Sequence, residues 1–261
     1  MPDSNVSEAS DDRKGIQSIE VGGQLLRVLS RHAAPMLLRD IAREAGMPPA
    51  KAHPYLVSFC KIRLVEQDPP TGRYQLGALA LRLGLAGLAQ SPALRRAEES
   101  LGPFKQKVQH TVALVVWGQL GPTIVQLSAV DFPLETNLRV GSVMSLVSTA
   151  AGRVFTAYMQ TTATQRLVDI ELQRLAQASA DEALAKARFV EEIAETRTRG
   201  MARAVGNPIP GVNALAAPIL GANGHLDLVV LVFGREENFD ARWDGSIATA
   251  LADYCSTVSQ D

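Results

Sequence analysis

Four cations and one imidazole in the first third of the chain have the types and spacing to grip phosphate. Arg39 and Arg43 lie one helical turn apart. Lys51 and His53 follow, and Arg73 sits beside Gly72 in a run of turn formers. Guanidinium and ammonium groups neutralise phosphates, and this pull supplies most sequence-independent affinity for nucleic acid. A second set lies at "SVMSLVSTAAGR", residues 142–153, where Ser148 and Thr149 precede a helical pattern. Amides at a helix N-terminus attract carboxylates. Each set has a plain structural alternative. Arg39 and Arg43 also suit a solvated face, His53 a capping or packing role, and Ser148 and Thr149 a simple helix cap.

Catalytic signatures are missing. There is no G-x-S-x-G, P-loop or G-x-G-x-x-G. His32, His53, His110 and His225 have no local carboxylate or cysteine at metal-ligand spacing. No enzyme, metal or cofactor is expected. Cys60 and Cys255 are too few for a disulfide framework, and the polar start lacks a signal peptide's apolar core, so a reducing cytoplasm is expected. Thr111–Val130 carries no charge but alternates like strands around Gly118, Gly121 and Pro122, so it reads as a buried hairpin and not a membrane span.

The 261 residues are 46% apolar and 20% charged, ordinary for a soluble protein. The net charge of −1 hides a division. Residues 1–12 hold four acids and no Lys or Arg; residues 13–73 hold ten Lys/Arg against five Asp/Glu; the remainder is −2. The basic surplus falls on the segment that carries the phosphate-binding candidates.

Three helical patterns must position those candidates. The first runs from Ile16 to Ser30, with Gly22 and Gly23 on its apolar face. A glycine pair costs about 1 kcal/mol per residue in a helix, and close packing of another helix would explain it. The second runs from Leu37 to Ala45 and is ended by Gly46. After a short turn, Ala52, Tyr55, Leu56, Phe59 and Cys60 give the third. This is a helix-turn-helix pattern. "RLVEQDPPTGRYQLG", residues 63–77, then reads as two strands around a tight turn, forming a wing with Arg73 near its tip. Pro54 conflicts with a straight third helix, because it removes the bond to the Ala50 carbonyl at roughly 3 kcal/mol. The helix is therefore expected to start late or to kink near His53.

"IQSIEVGGQLLRVLS", "LLRDIAREAGMPPAKAHPYLVSF", the wing, "LRVGSVMSLVSTAAGRVFTAY" and "GNPIPGVNALAAPIL" together resemble the IclR-type family of bacterial transcription regulators, over roughly residues 15 to 257. The resemblance implies an α+β chain: an N-terminal winged helix-turn-helix, a linker helix, and a C-terminal GAF-like antiparallel sheet flanked by helices. The implied divisions are a disordered acidic tail at 1–14, a DNA-binding domain at 15–77, a linker and dimerisation helix at 78–93, and an effector-binding domain at 94–261. The implied partners are a double-stranded DNA operator, a small-molecule effector such as an organic acid, and copies of the chain as a homodimer or dimer of dimers. The DNA-contacting positions that follow are Arg39, Arg43, Ala50, Lys51, His53, Tyr55 and Arg73. The effector positions are Leu146, Ser148, Thr149, Arg153, Asn213, Ala214 and Leu231. Ala50 and Lys51 replace the family's usual hydroxyl pair, and Pro54 replaces a common arginine. Val147, Ala214 and Leu231 stand where polar residues are common. A sensor or protein-interaction module without specific DNA recognition therefore stays open as an alternative.

Overall fold

The computed structural model describes residues 15–129, 137–178 and 182–260. The expected acidic tail at 1–14 lies outside them. Contacts divide the chain into two units that meet between Gln90 and Ser91.

The first unit contains α1 (Gln17–Arg31), α2 (Leu38–Glu44), α3 (Pro49–Lys61), β1 (Val65–Gln67), β2 (Tyr74–Leu76) and α4 (Ala78–Ala89). Leu25, Ile41, Ala42, Ala52, Leu56 and Val65 form its dry centre. Gly46 (φ +67°) ends α2 with paired bonds, Gly46 N–H to the Arg43 carbonyl and Met47 N–H to the Ala42 carbonyl. That left-handed cap turns the chain into α3. The wing hairpin pairs Val65 with Leu76 and Gln67 with Tyr74, and Met36 adds a bridge to Tyr74.

The glycine pair in α1 divides in two. A Cβ on Gly22 would lie 2.8 Å from Phe59 Cζ and 3.4 Å from Tyr55 Cδ1, so α3 packs where a side chain would stand. A Cβ on Gly23 meets nothing.

Pro54 neither delays α3 nor interrupts its assignment. The helix starts at Pro49, with Lys51 and Ala52 N–H both bonding the Pro48 carbonyl, and runs through Pro54 to Lys61. Two features explain the tolerance. Ala50 and Pro54 lie on the exposed face, where water can satisfy the lost carbonyl. The opposite face buries Ala52 and Leu56 completely and packs Tyr55 and Phe59 against α1. Burying one leucine contributes about 1.5–3 kcal/mol, so this packing offsets the missing bond.

The second unit contains α5 (Pro92–Val108), β3 (Thr111–Gly118), β4 (Gly121–Ser128), α6 (Ala150–Tyr158), α7 (Thr162–Ala178), α8 (Glu182–Arg199), β5 (Ala202–Val205), β6 (Val212–Leu220), β7 (Leu226–Arg235) and α9 (Ser246–Gln260). Its five strands run in the order β4-β3-β7-β6-β5, all neighbours antiparallel. Alternation assigns the faces. Ala113, Val115, Ala216, Val229, Leu231 and Phe233 share a core with α6 and α8. The alternate positions face the other way, where Cys255 and Ser259 of α9 bond the Ala217 carbonyl and Leu220 N–H.

The structure departs from the sequence reading at the linker and at β5. A linker helix extending to residue 93 ends at Ala89, because Ser91 caps a new helix whose first residue is Pro92. Residues 137–140 form no strand. The chain turns there through Arg139–Ser142 bonds and Gly141 (φ +88°), and joins β4 by the Gly141–Ile124 bond and the Thr123–Val143 bridge. The edge strand β5 was not anticipated, since "ARAV" is too short to show a period.

Gly23→Ala is expected to stabilise the first unit by up to about 1 kcal/mol. Gly22→Ala should forfeit that gain because the Phe59 ring must move. Amide hydrogen exchange of α1 and α3 in the full chain measures both.

Candidate functional site: a nucleic-acid face and an apolar cavity

On the first unit, α3 turns Ala50, Lys51, His53, Pro54, Val57 and Ser58 outward. Ser58 Oγ donates to the Pro54 carbonyl at 2.9 Å, so that hydroxyl is engaged. Lys51 and His53 are exposed. Arg39 and Arg43 are exposed on α2, and both approach Asp40, at 3.9 and 3.1 Å. Exposed pairs of this kind hold weakly and leave the guanidinium free to exchange partners. Two expected contact residues are placed differently. Tyr55 is half-buried against Gly22, so its ring serves α1–α3 packing. Arg73 is drawn back from the wing tip, with Nη1 donating to the Pro35 carbonyl at 3.2 Å. The tip itself is an Asp68 turn, with the Asp68 carboxylate accepting from Thr71 N–H and hydroxyl.

The helix α4 has no buried residue, and Leu81, Leu83 and Leu85 are 57–65% exposed. Its start is fixed to the wing. Gly77 and Leu79 N–H bond the Leu64 and Arg63 carbonyls, and Ala78 N–H bonds Glu66 Oε1. A Cβ on Gly77 would stand 2.5 Å from the Arg63 carbonyl oxygen, so only glycine permits this approach.

In the second unit, a cavity of about 240 Å³ opens between the turn before α6, the segment 204–212 and the inner face of β6–β7. Of the seven expected effector positions, Thr149, Ala214 and Leu231 line it. Met144, Val143, Pro208, Ile209, Val212 and Phe233 complete its apolar wall, with Ser145 and Asn207 as polar members. Val212 and Phe233 lie two residues from Ala214 and Leu231, so strand alternation could have found them.

The other four positions are structural. Leu146 is 1% exposed in the core. Asn213 is buried, and its Oδ1 accepts from Gly206 N–H at 3.1 Å. Ser148 N–H bonds Ser145 Oγ at 2.9 Å, and the cap of α6 is Thr149, whose Oγ1 accepts from Gly152 N–H and donates to the Ser145 carbonyl. Arg153 is buried, donating to the Val147, Arg203 and Ser148 carbonyls and pairing with Glu192 at 3.1 Å. Burial lowers its pKa against the opposing pull of Glu192, and burial raises that of Glu192.

The two amides just before the Ser148–Thr149 pair expected to receive a ligand carboxylate hold an internal one. Glu171 of α7 accepts from Leu146 N–H at 3.1 Å, Val147 N–H at 3.1 Å and Ser145 Oγ at 2.5 Å. Nothing in the sequence marks Glu171, one of two acids on an amphipathic helix. Among the described residues no cluster of three or more His, Cys, Asp or Glu is placed to hold a metal ion, and no helix is long and apolar enough to cross a membrane.

Two family models match the chain, the IclR helix-turn-helix domain over residues 18–69 and the bacterial transcriptional regulator IclR C-terminal domain over residues 88–260. The chain belongs to the IclR family of transcriptional regulators. The glycerol operon regulatory protein of Streptomyces griseus is 31% identical over 250 residues, covering 95% of this chain and 97% of that one. The crystal structure of Pseudomonas aeruginosa HmgR shares 31% identity with a TM-score of 0.58, covering 94% and 97%. An IclR regulator structure from Alicyclobacillus acidocaldarius superposes with a TM-score of 0.76 at 22% identity, covering 95% and 99%. Its fold agrees with the winged helix and flanked antiparallel sheet found here. IclR-family membership makes the first unit's helix-turn-helix a DNA-binding domain and the second unit an effector-binding domain.

Glu171→Ala strips the partner from two amides and a hydroxyl, and should cost about 1–3 kcal/mol. Glu171→Gln keeps one acceptor and should cost less. Thermal unfolding of the full chain ranks the two.

Proposed function

We propose that this IclR-family regulator acts in the cytoplasm as a homodimer, or a dimer of dimers, on a palindromic operator controlling catabolic or related genes. A small organic effector in the second unit changes its affinity for DNA, and no catalysis is involved. The observation that carries this reading is the pairing of an outward cationic α3 with a separate apolar cavity in one chain. Two-fold symmetric dimers match two half-sites, so operator palindromy follows from pairing. The supporting surface for pairing is α4, whose exposed leucines need partners on several sides. Because α4 is bonded to the wing through residues 77–79, repositioning α4 moves the reading helix with it.

An organic acid is the effector expected from the sequence. The cavity's apolar wall supports the ring or chain of such a molecule, and its lining residues Thr149 and Ala150 stand at the N-terminus of α6, where amides attract a carboxylate. Effector control further requires unequal affinity for two arrangements of the DNA-binding heads.

On α3, Lys51 is the cation best placed for a base or phosphate contact. Arg39, Arg43 and His53 flank it, and Ala50 offers only a methyl group. Lys51→Ala should weaken operator binding by about 1–3 kcal/mol. If its partner is a phosphate, the slope of log K against log salt falls by about one per subunit. The full chain should prefer the DNA upstream of its own gene over random duplex by roughly 10³ or more, measured by gel shift across a salt series. Equal affinity for both duplexes would favour the sensor without specific DNA recognition.

A further inference from the structure

We infer that a second cavity binds a small free amino acid as its zwitterion, with the carboxylate on Arg203 and the ammonium group on Glu192 and Glu195. This cavity, of about 220 Å³, opens between α8, β5 and Trp243 in the segment before α9. The inference goes beyond the regulator reading and does not depend on what fills the apolar cavity. Opposite charges line the space without closing on each other. Arg203 comes from β5. Its guanidinium carbon lies 4.5 Å from the centre of the Trp243 ring, and its Nη1 donates to the Ala241 carbonyl at 3.4 Å. Stacking occupies the flat face of a guanidinium and leaves donors along its edge. The two carboxylates stand one turn apart on α8 and pair elsewhere, Glu192 with Arg153 at 3.1 Å and Glu195 with Arg199 at 3.2 Å. Their side chains are 42% and 43% exposed, so both keep surface toward the cavity.

The mixture of signs selects the ligand. An anion alone meets Arg203 but also faces two carboxylates. A cation alone meets Glu192 and Glu195 but also faces Arg203 and the buried Arg153. A molecule that carries both charges answers each with its opposite. Glu192 has the most to gain. Burial raises its pKa, Arg153 holds it back, and Glu195 adds to the rise. An ammonium group beside it opposes both upward pushes. The volume lies below the range of about 300–1,000 Å³ that holds drug-sized ligands, which limits the occupant to a short side chain. Val205 and the Trp243 ring supply apolar surface for that side chain.

Calorimetry on the full chain at pH 7 with L-valine, isovalerate and isobutylamine tests this, since each analogue lacks one of the two charges. L-valine should bind about tenfold or more tighter than either analogue, as expected for losing a hydrogen-bonded charge. Arg203→Gln should erase its advantage over isobutylamine, and Arg203→Lys should retain most of it. Glu195→Gln should reduce its advantage over isovalerate. A merely structural loss would weaken all three probes alike and leave these preferences in place. Far-ultraviolet circular dichroism checks that each variant is folded. Equal binding of valine and either analogue, binding by none of the probes, or preferences that survive both Gln variants would overturn the inference and leave the regulator reading untouched.

Discussion

The second unit is organised around one buried guanidinium. Arg153 brings a charge into a space that is otherwise almost wholly apolar, an arrangement that persists only if every donor is matched. Each of its three nitrogens finds a partner among three backbone carbonyls and one carboxylate, and those partners come from three places: the turn before α6, the edge strand β5, and α8. The same turn is held from its other side by Glu171 of α7. Gly152 completes the arrangement, since a Cβ there would fall 1.9 Å from the Ser145 carbonyl oxygen. The turn 145–149 is thus pinned by a cation, an anion and a steric requirement for glycine. Its rigidity gives the cavity a fixed wall.

The first unit solves a different problem. A helix that presents Pro54 to solvent gives up a hydrogen bond and a side chain that might read bases. What it keeps is packing: Leu56 and Ala52 are fully buried, and Phe59 closes on Gly22. The position of α3 is therefore set from behind, by its contacts with α1 and α2, and is insensitive to the composition of its outward stripe. This separation lets α3 lose polar residues from that stripe while the winged helix stays intact. The cations that remain on that side are Lys51 on α3 and Arg39 and Arg43 on α2.

Periodicity and turn chemistry made most elements legible. Gly46 and the "DPPTG" turn marked chain reversals that the structure contains. The winged helix and the flanked sheet follow from those marks and from the family resemblance. The site was less legible, and the failures share a cause. Leu146, Ser148 and Arg153 lie near a helix start and Asn213 lies on β6, and their places in the sequence made them look like ligands' partners. In three dimensions Leu146 fills the core, Asn213 accepts from a backbone amide, and Arg153 donates to backbone carbonyls and Glu192. Glu171 and the 204–209 wall are remote in sequence and carry no pattern. Which of two carboxylates, internal or external, fills an amide cradle is decided by tertiary packing alone. Tyr55 and Arg73 show the same limit, since one backs onto a glycine in α1 and the other onto the Pro35 carbonyl.

The pinning of the turn also constrains how occupancy of the cavity can be felt. Thr149 and Ala204 line it. Each is adjacent in sequence to a carbonyl that Arg153 holds, Ser148 on one side and Arg203 on the other. A ligand that pressed on either wall would have to stretch a bond to a buried charge, and such a charge responds by redistributing its partners and not by yielding gradually. Glu192 is the partner free to adjust, because it is partly exposed at the rim of a second, polar cavity shared with Ala204 and Asn207. The two sides of the cavity thus differ in how firmly they are held: Glu192 of α8 is a partly exposed partner, while Glu171 and Gly152 fix the turn.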